Sequence, residues 1–177
     1  EAAVEKLPVV FVIKNNQWAI SMPVAEQTAT HPLALRAAGF AMPASMVDGN
    51  DVIAVRHAVS LAIAHARNGG GPSLIEAQTY RLADHTTVDQ AKQYRNEEEV
   101  NRARAQEPLI RLRKFLISRG WWSDAEEDAL NKDAARTAEE LQKNYLAYPR
   151  QEPDDLVKYL FEHVPDVSSY RGQLAEI

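Results

Sequence analysis

The sequence has 177 residues, of which 45% are apolar and 25% are charged, a composition typical of a globular domain with a sizeable core. The formal net charge of -5 argues against the clustered basic surface of a nucleic-acid-binding protein. The absence of cysteine excludes disulfides, thiolate metal ligands and a cysteine nucleophile, and no apolar stretch is long enough to cross a bilayer.

The first 80 residues alternate between strand-like and helix-like segments. The apolar run Val9–Ile13 predicts a buried parallel strand, because such a strand is covered on both faces of its sheet. Alternating helices and strands are then predicted at residues 33–40, 45–47, 52–67 and 73–80. Asn50 or Asp51 is placed to cap the second of these helices. The order predicts an α/β fold whose parallel sheet has helices on both faces.

The second half of the chain is predicted to be mainly helical. Residues 82–95 are polar and lack periodicity, which predicts a surface loop. Helices are then predicted from Asn96, after Pro108 and from the capping box that starts at Ser123. A further short helix is predicted at residues 154–163, with an irregular tail after it.

These segments predict two parts, an α/β domain at residues 1–95 and a helical extension for subunit packing at residues 96–177. Basic side chains gather at 102–119 and acidic ones at 123–155, a pattern that most often marks solvated helix faces. The alternative is that these charges face partner subunits. The first six residues are typical of the end of a helix, so we also expect the sequence to be a piece of a longer protein.

Polar residues follow the first predicted strand, at the edge where open α/β sheets bind ligands. Lys14 could supply positive charge to a phosphate, and the amide oxygen of Asn16 is a neutral ligand for a hard cation such as Mg²⁺. The backbone carbonyl of Trp18 could add a second ligand of the same kind. Asparagine is also common in turns, so the pair Asn15-Asn16 taken alone favours a turn over a metal site.

His85 is the second candidate for chemistry. It follows the third predicted strand, so its loop should emerge at the same sheet edge as Asn16. A histidine there can exchange protons or, when charged, hold a phosphate oxygen; the alternative is an exposed loop histidine. The pair Tyr80-Arg81, just ahead of the loop, is either a packing pair or a phosphate anchor. The segment Asp48–Asp51 is better explained by a strand-to-helix turn than by a metal-binding loop.

Five segments occur in an order and spacing that resemble a known family, namely residues 9–28, 47–52, 71–87, 94–98 and 107–114. They are similar to the C-terminal half of the alpha subunit of the thiamine diphosphate-dependent 2-oxo acid dehydrogenases. These proteins are the decarboxylating components of the pyruvate and branched-chain 2-oxo acid dehydrogenase complexes. The resemblance covers nearly the whole chain and implies the α/β thiamine diphosphate-binding fold, followed by a C-terminal helical extension.

The resemblance implies roles for individual residues. Asn16 matches the metal-binding asparagine, and Trp18 matches a position, usually tyrosine, whose backbone carbonyl also binds Mg²⁺. Lys14 matches a position where some members have a phosphate-binding arginine, and Ile20 one whose backbone meets the aminopyrimidine ring. His85 matches the active-site histidine of a mobile loop, which touches the diphosphate and assists acyl transfer to the lipoyl group.

The same resemblance implies cofactors and partners. The cofactor is thiamine diphosphate with Mg²⁺, and the Gly-Asp-Gly half of its binding motif is expected upstream of Glu1. The beta subunit of an alpha2beta2 heterotetramer completes the site, and the acyl group passes to the lipoyl domain of the acyltransferase core. We therefore expect the fragment to be inactive alone, and the substrate to be pyruvate or a branched-chain 2-oxo acid.

Two other functions stay open. An acetoin dehydrogenase alpha subunit would share the same fingerprint, and the chain could be a subunit-interaction domain without its own activity. Thr86 occupies the position of a regulated serine in mitochondrial members of the family. This suggests a cytoplasmic bacterial protein without kinase control; a eukaryotic member would lie in the mitochondrial matrix.

Overall fold

The computed structural model of the chain describes residues 1–152 and Asp155. The chain forms two compact units, Glu1–Ser123 and Asp124–Ile177. Apart from Asp155, the short helix predicted at residues 154–163 and the tail after it lie outside the described residues.

The described residues form five strands, which are β1 (Val10–Asn15), β2 (Trp18–Ala19), β3 (Met22–Pro23), β4 (Ala44–Asp48) and β5 (Ser73–Gln78). Their α-helices are α1 (Val24–Gln27), α2 (Val52–His65), α3 (Glu97–Ala105), α4 (Pro108–Ser118) and α5 (Asp124–Ala147). Short 3-10 helices lie at Leu33–Phe40 and Ala91–Gln93, and a π turn follows α2 at Ala66–Gly70. The helices predicted from residue 52 onward are thus confirmed as far as the described residues extend, whereas the segment at 33–40 is a 3-10 helix. Nowhere in this part of the chain is a helix both long and apolar enough to cross a membrane.

β5 is the central strand of a three-stranded parallel sheet, with β1 and β4 at its two sides. The register pairs both Asn15 and Asp48 with Gln78, so the three strands end at one level. Parallel strands joined by helical segments confirm the predicted α/β fold. The turns that follow the three strands therefore emerge at one edge of the sheet.

The two faces of β5 contact different helical segments, because successive side chains of a strand point in opposite directions. Leu74 packs with Ala34 and Ala37 of the first 3-10 helix. Ile75, which is only 1% exposed, lies on the other face, beside α2. This arrangement confirms the prediction of helices on both faces of the sheet.

β1 is less buried than its apolar sequence predicts. Phe11 and Val12 are 41% and 58% exposed, whereas residues 73–77 of β5 are all buried. The reason is that β1 has a paired neighbour on one side only in the described sheet, while β5 has one on each side. The prediction of a fully covered strand is therefore wrong for β1 and fits β5.

The antiparallel hairpin of β2 and β3 was not predicted. It pairs Trp18 with Pro23 and Ala19 with Met22, directly after the end of β1. Strands of two residues are too short to show the alternation of apolar and polar residues from which strands are predicted. The hairpin nevertheless matters, because it holds two of the candidate site residues.

α5 forms most of the described part of the second unit. Arg136 pairs within this helix with Asp133 and Glu140, at spacings of three and four residues, and all three side chains are more than half exposed. The acidic helix predicted from Ser123 is thereby confirmed, with these charges on a solvated face. The proposed division of the chain between residues 95 and 96 stays a prediction.

The N-cap of α2 provides a test of local stability. Asp51 accepts hydrogen bonds from the backbone N–H groups of Ile53 and Ala54, each at 3.0 Å. We expect Asp51→Ala to lower the free energy of unfolding by about 1 kcal/mol, measured by urea denaturation, because two N–H groups lose their acceptor. Asp51→Asn keeps an acceptor oxygen and is the matched control. If both variants lowered the free energy of unfolding equally, the effect would be due to the 3.6 Å ion pair with Arg111 instead.

Candidate functional site

Two consecutive asparagine turns follow β1. The side-chain oxygen of Asn15 accepts a hydrogen bond from the N–H of Gln17, and that of Asn16 accepts one from the N–H of Trp18, each at 3.1 Å. Asparagine favours such bonds because its short side chain can mimic a backbone turn. Gln17 adopts a left-handed φ of 70°. The chain therefore reverses tightly and keeps Asn16 at the carboxyl edge of the sheet.

This turn carries two neutral oxygen atoms that suit a hard cation. The side-chain oxygen of Asn16 has a second lone pair beyond the one that holds the turn. The carbonyl of Trp18 points away from β3, because Trp18 and Pro23 form a non-hydrogen-bonded pair in which the next N–H, that of Val24, donates to Gln17. Mg²⁺ prefers oxygen ligands of this kind and usually adds carboxylate, phosphate and water oxygens. The two atoms thus fit one part of a site for Mg²⁺ and a diphosphate.

The described residues contain no cluster of acidic side chains that could complete such a site. Among residues 1–152 and Asp155, no group of three or more histidine, aspartate or glutamate side chains could hold a metal ion. Mg²⁺ requires a nearly complete octahedron of oxygen atoms. Asn16 and Trp18 would therefore supply only part of the ligands that such a site needs.

Lys14 and Ile20 flank the turn. Lys14 is exposed in β1 and lies on the strand face opposite that of Asn15. Ile20, between β2 and β3, has a φ of 54°, which is an outlier for a β-branched residue. Its carbonyl accepts a hydrogen bond from Arg81 at 2.6 Å, which holds this strained turn in place. Strained backbone of this kind is frequent at ligand-binding sites.

Arg81 joins the ends of β1 and β5. Its backbone N–H donates to the carbonyl of Asn16 at 3.2 Å and so continues the pairing of the two strands beyond their ends. Its guanidinium donates to the carbonyl of Ile20 and, at 2.8 Å, to the hydroxyl of Tyr94. The sequence left two roles open for Arg81, and these bonds support the packing role.

Asp89 and Tyr94 hold the loop that carries His85. The Oδ2 atom of Asp89 accepts hydrogen bonds from the backbone N–H of His85 at 2.7 Å and from the Tyr94 hydroxyl at 2.6 Å. With the bonds of Arg81, a continuous hydrogen-bonded chain runs from Ile20 to His85. The structure thus brings the asparagine turn, the hairpin and the histidine loop to one edge of the sheet.

The same bonds shift two pKa values. The N–H of His85, followed by the Tyr94 hydroxyl, stabilises the carboxylate of Asp89 and lowers its pKa below the ordinary aspartate range. Loss of hydration, together with the bond to Asp89, raises the pKa of Tyr94. At neutral pH Asp89 is therefore ionised and accepts both bonds, while Tyr94 stays protonated and donates one.

Asp89→Ala is expected to loosen the loop. Because the folded pKa of Asp89 is lowered, its contribution is complete above the unfolded pKa and is lost as the pH falls through the folded value. We therefore expect severalfold faster amide hydrogen exchange at residues 84–91 in the variant at neutral pH, measured by mass spectrometry. Asp128→Ala, in exposed α5, is the control. Unchanged exchange in Asp89→Ala would show that other contacts hold the loop.

Aromatic and cationic side chains also fix this loop. The rings of Trp18 and Tyr94 lie 5.5 Å apart at an angle of 49°. The guanidinium of Arg95 lies 5.9 Å from the centre of the Tyr80 ring and donates to the backbone carbonyls of residues 81–83. The loop predicted from its polar sequence is therefore held by specific bonds along its length.

The turn after β4 is structural, as predicted. Asp48 accepts hydrogen bonds from the N–H of Asn50 at 2.9 Å and from Arg111 at 2.7 Å. Burial acts to raise the pKa of Asp48, but the bonds from Arg111 and Asn50 leave that pKa lowered. A Cβ atom at Gly49 would lie 2.8 Å from the carbonyl oxygen of Gln78, so the turn requires glycine there.

Glu76 is a residue that the sequence interpretation missed. It is 0% exposed in β5, and its carboxylate accepts hydrogen bonds from the side-chain amide of Asn15 and from the N–H of Ala34, each at 2.8 Å. The available signal was a charged residue within the otherwise apolar stretch Leu74–Ala77. Charged side chains are almost never fully buried without partners, so such a residue indicates a specific contact.

Comparison with known proteins gives one family. A family model described as the dehydrogenase E1 component matches residues 2–154. Over 98% of its length, the chain is 42% identical to the 3-methyl-2-oxobutanoate dehydrogenase subunit alpha of Mycobacterium tuberculosis strain H37Rv. This match covers 47% of the relative's length. The chain is 38% identical, over 93% of its length, to 44% of the pyruvate dehydrogenase E1 component subunit alpha of Bacillus subtilis.

A human protein is also similar. The chain is 37% identical, over 93% of its length, to 37% of the mitochondrial 2-oxoisovalerate dehydrogenase subunit alpha of Homo sapiens. The chain spans less than half the length of each of these three curated relatives.

Proposed function

The chain belongs to the dehydrogenase E1 component family, and from this we propose that it acts as part of the alpha subunit of a thiamine diphosphate-dependent 2-oxo acid dehydrogenase. The reaction is the oxidative decarboxylation of pyruvate or a branched-chain 2-oxo acid, with transfer of the acyl group to lipoamide. Relatives named for both substrate classes support this range.

One observation carries the proposal. The turn at Asn16 and Trp18 is joined through Arg81 to the loop of His85, and all of them lie at the carboxyl edge of a parallel sheet. Ligands of open α/β sheets bind at this edge. Neutral oxygen atoms, a strained backbone turn at Ile20 and a histidine therefore lie on segments that are joined at this edge.

Each candidate residue has a role in this proposal. Asn16 and Trp18 give a side-chain and a backbone oxygen to Mg²⁺, and Lys14 gives positive charge to the diphosphate. The backbone at Ile20 contacts the aminopyrimidine ring. When bound, thiamine diphosphate supplies the nucleophilic carbon and the electron sink that decarboxylation requires. His85 holds or transfers a proton at an imidazole nitrogen during acyl transfer.

Other parts of the site come from outside this chain. The acidic metal ligand lies in the remainder of the alpha subunit, and the beta subunit of an alpha2beta2 heterotetramer closes the cofactor site. The lipoyl domain of the acyltransferase core receives the acyl group. We place the protein in the bacterial cytoplasm, with the mitochondrial matrix as the location of eukaryotic relatives.

The test is reconstitution. The full-length alpha subunit that contains this sequence, assembled with its beta subunit, should bind thiamine diphosphate only with Mg²⁺ and should decarboxylate a 2-oxo acid. The 177-residue chain alone should do neither, because its ligand set is partial. Calorimetric binding and CO₂ release are the measurements. Turnover of pyruvate by the chain alone, or no cofactor binding by the heterotetramer, would contradict the proposal.

A second candidate function is subunit association. Large apolar side chains of α4 and the segment after it are exposed: Leu109 is 73%, Ile110 is 44% and Trp121 is 65% exposed. Side chains of this kind are enriched in interfaces. If the chain serves as an interaction domain, it should co-elute with the beta subunit in gel filtration. Replacing Leu109 and Ile110 with serine should abolish that co-elution, whereas Lys132→Ser, on α5, should not.

A further inference from the structure

Glu76 is buried more completely than the neighbouring candidate residues. It is 0% exposed in the middle of β5, and both of its hydrogen-bond donors are neutral groups. A buried carboxylate that is not neutralised by a cation costs free energy, which an apolar side chain in this strand would avoid. Its presence therefore calls for a specific contact that only a carboxylate provides.

The two carboxylate oxygens of Glu76 hold two different segments. Oε2 accepts the N–H of Ala34, in the first turn of a 3-10 helix whose own N-cap residue, Pro32, makes no side-chain cap. Oε1 accepts the side-chain amide N–H of Asn15. Glu76 thus ties the end of β1 to the start of that helix, on one face of the sheet.

The bond to Asn15 also fixes the orientation of its amide. The backbone N–H of Gln17 can only donate, so the side-chain oxygen of Asn15 must face Gln17, and its amide nitrogen donates to Oε1 of Glu76. The next bond, from the N–H of Trp18 to Asn16, continues the same turn. The geometry of Asn16 and Trp18 therefore depends on a carboxylate that does not touch either residue.

We propose that Glu76 is a positioning residue that acts through Asn15 to hold the turn on which Asn16 and Trp18 bind Mg²⁺ and thiamine diphosphate. This inference rests on the proposed function of that turn. Partners that orient metal ligands in this way typically contribute about 10–100-fold to metal affinity. The effect should therefore appear in cofactor affinity, in addition to any effect on folding.

Two substitutions and their combination test, in the full-length heterotetramer, whether Glu76 acts through Asn15. In Glu76→Gln a single acceptor oxygen replaces two, so either Ala34 or Asn15 loses its acceptor. In Asn15→Asp two carboxylates face each other. In the double variant Asn15→Asp/Glu76→Gln the direction of the bond reverses, because the amide introduced at position 76 donates to the carboxylate introduced at position 15. The side-chain oxygen of the new Gln at position 76 still accepts from the N–H of Ala34. The second carboxylate oxygen of the new Asp at position 15 still accepts from the N–H of Gln17. All three hydrogen bonds are therefore restored, and the number of charges is unchanged.

The readouts are thiamine diphosphate affinity at limiting Mg²⁺, measured by calorimetry, and the midpoint of thermal unfolding. We expect each single variant to bind about 10–100-fold more weakly and the double variant to regain most of the affinity. Ile75→Val, a truncation of the adjacent buried residue, is the control: it should lower the unfolding midpoint without changing the affinity.

Three outcomes would overturn the inference. The first is a Glu76→Gln variant that binds thiamine diphosphate as tightly as the unaltered protein. The second is a double variant that binds the cofactor no better than Asn15→Asp. If Glu76→Gln does not assemble, the comparison of Asn15→Asp with the double variant decides in the same way. The third is an unaltered heterotetramer that shows no Mg²⁺-dependent binding of thiamine diphosphate, which would overturn the proposed function and this inference with it.

Discussion

Asn16→Ala in the full-length alpha subunit, assembled with its beta subunit, is expected to weaken Mg²⁺-dependent binding of thiamine diphosphate by more than about 100-fold. Residues that merely orient a metal ligand contribute about 10–100-fold, so removal of a ligand itself should cost more. The substitution also removes the acceptor for the N–H of Trp18 and thereby loosens the turn that presents the second oxygen atom. Calorimetric titration of the cofactor at fixed Mg²⁺ measures the effect.

Two further variants separate the metal role of Asn16 from general damage. Asn16→Asp keeps an oxygen that can both accept from Trp18 and bind Mg²⁺, so it should retain much more affinity than Asn16→Ala. Asn101→Ala, on exposed α3, removes an asparagine far along the chain and should leave binding unchanged. If Asn16→Ala bound the cofactor as tightly as the unaltered protein, the assignment of the turn as a metal site would be wrong.

His85→Ala is expected to lower the rate of lipoyl acylation by about 100-fold or more, which is the usual contribution of a positioned acid or base. Cofactor affinity should change much less. The structural reason is that Asp89 accepts from the backbone N–H of His85, a bond that does not need the imidazole ring and that alanine can keep. Acylation of an isolated lipoyl domain, followed by mass spectrometry, measures the effect.

His57→Ala is the matched control, because His57 is an exposed histidine on α2. It should leave both acylation and cofactor affinity unchanged. The two steps should also be separated by measuring decarboxylation with an artificial electron acceptor, which bypasses the lipoyl domain. Unchanged activity of the overall complex in His85→Ala would remove this residue from the mechanism.

The order of strands and helices was predictable, because the local sequence signals for these elements agree with the sheet that they form. The strand and helix order predicts a parallel sheet, and the strands indeed end at one level with Asn15 and Asp48 beside Gln78. The N-cap of α2 was predicted at Asn50 or Asp51, and it is Asp51, whose side chain accepts from backbone N–H groups two and three residues ahead. Signals of this kind depend only on neighbours in the sequence, so no tertiary information was needed.

Contacts between distant residues were not predictable in the same way. Glu76 meets residues 61 and 42 positions earlier in the chain, and Arg81 reaches back 61 positions to Ile20. Burial of β1 was also misjudged, because its apolar residues do not reveal how many neighbouring strands it has. The same limit applies to the loop of His85, whose polar sequence conceals the bonds of Asp89, Tyr94 and Arg95.

The contact of Trp18 with Tyr94 has a practical consequence. Trp18 belongs to the proposed metal turn, whereas Tyr94 belongs to the segment that holds the His85 loop. The sequence has only two other tryptophans, Trp121 and Trp122. With these two changed to phenylalanine, the remaining indole becomes an intrinsic fluorescent probe. Its emission reports the separation of the turn from the loop in real time, without any added dye.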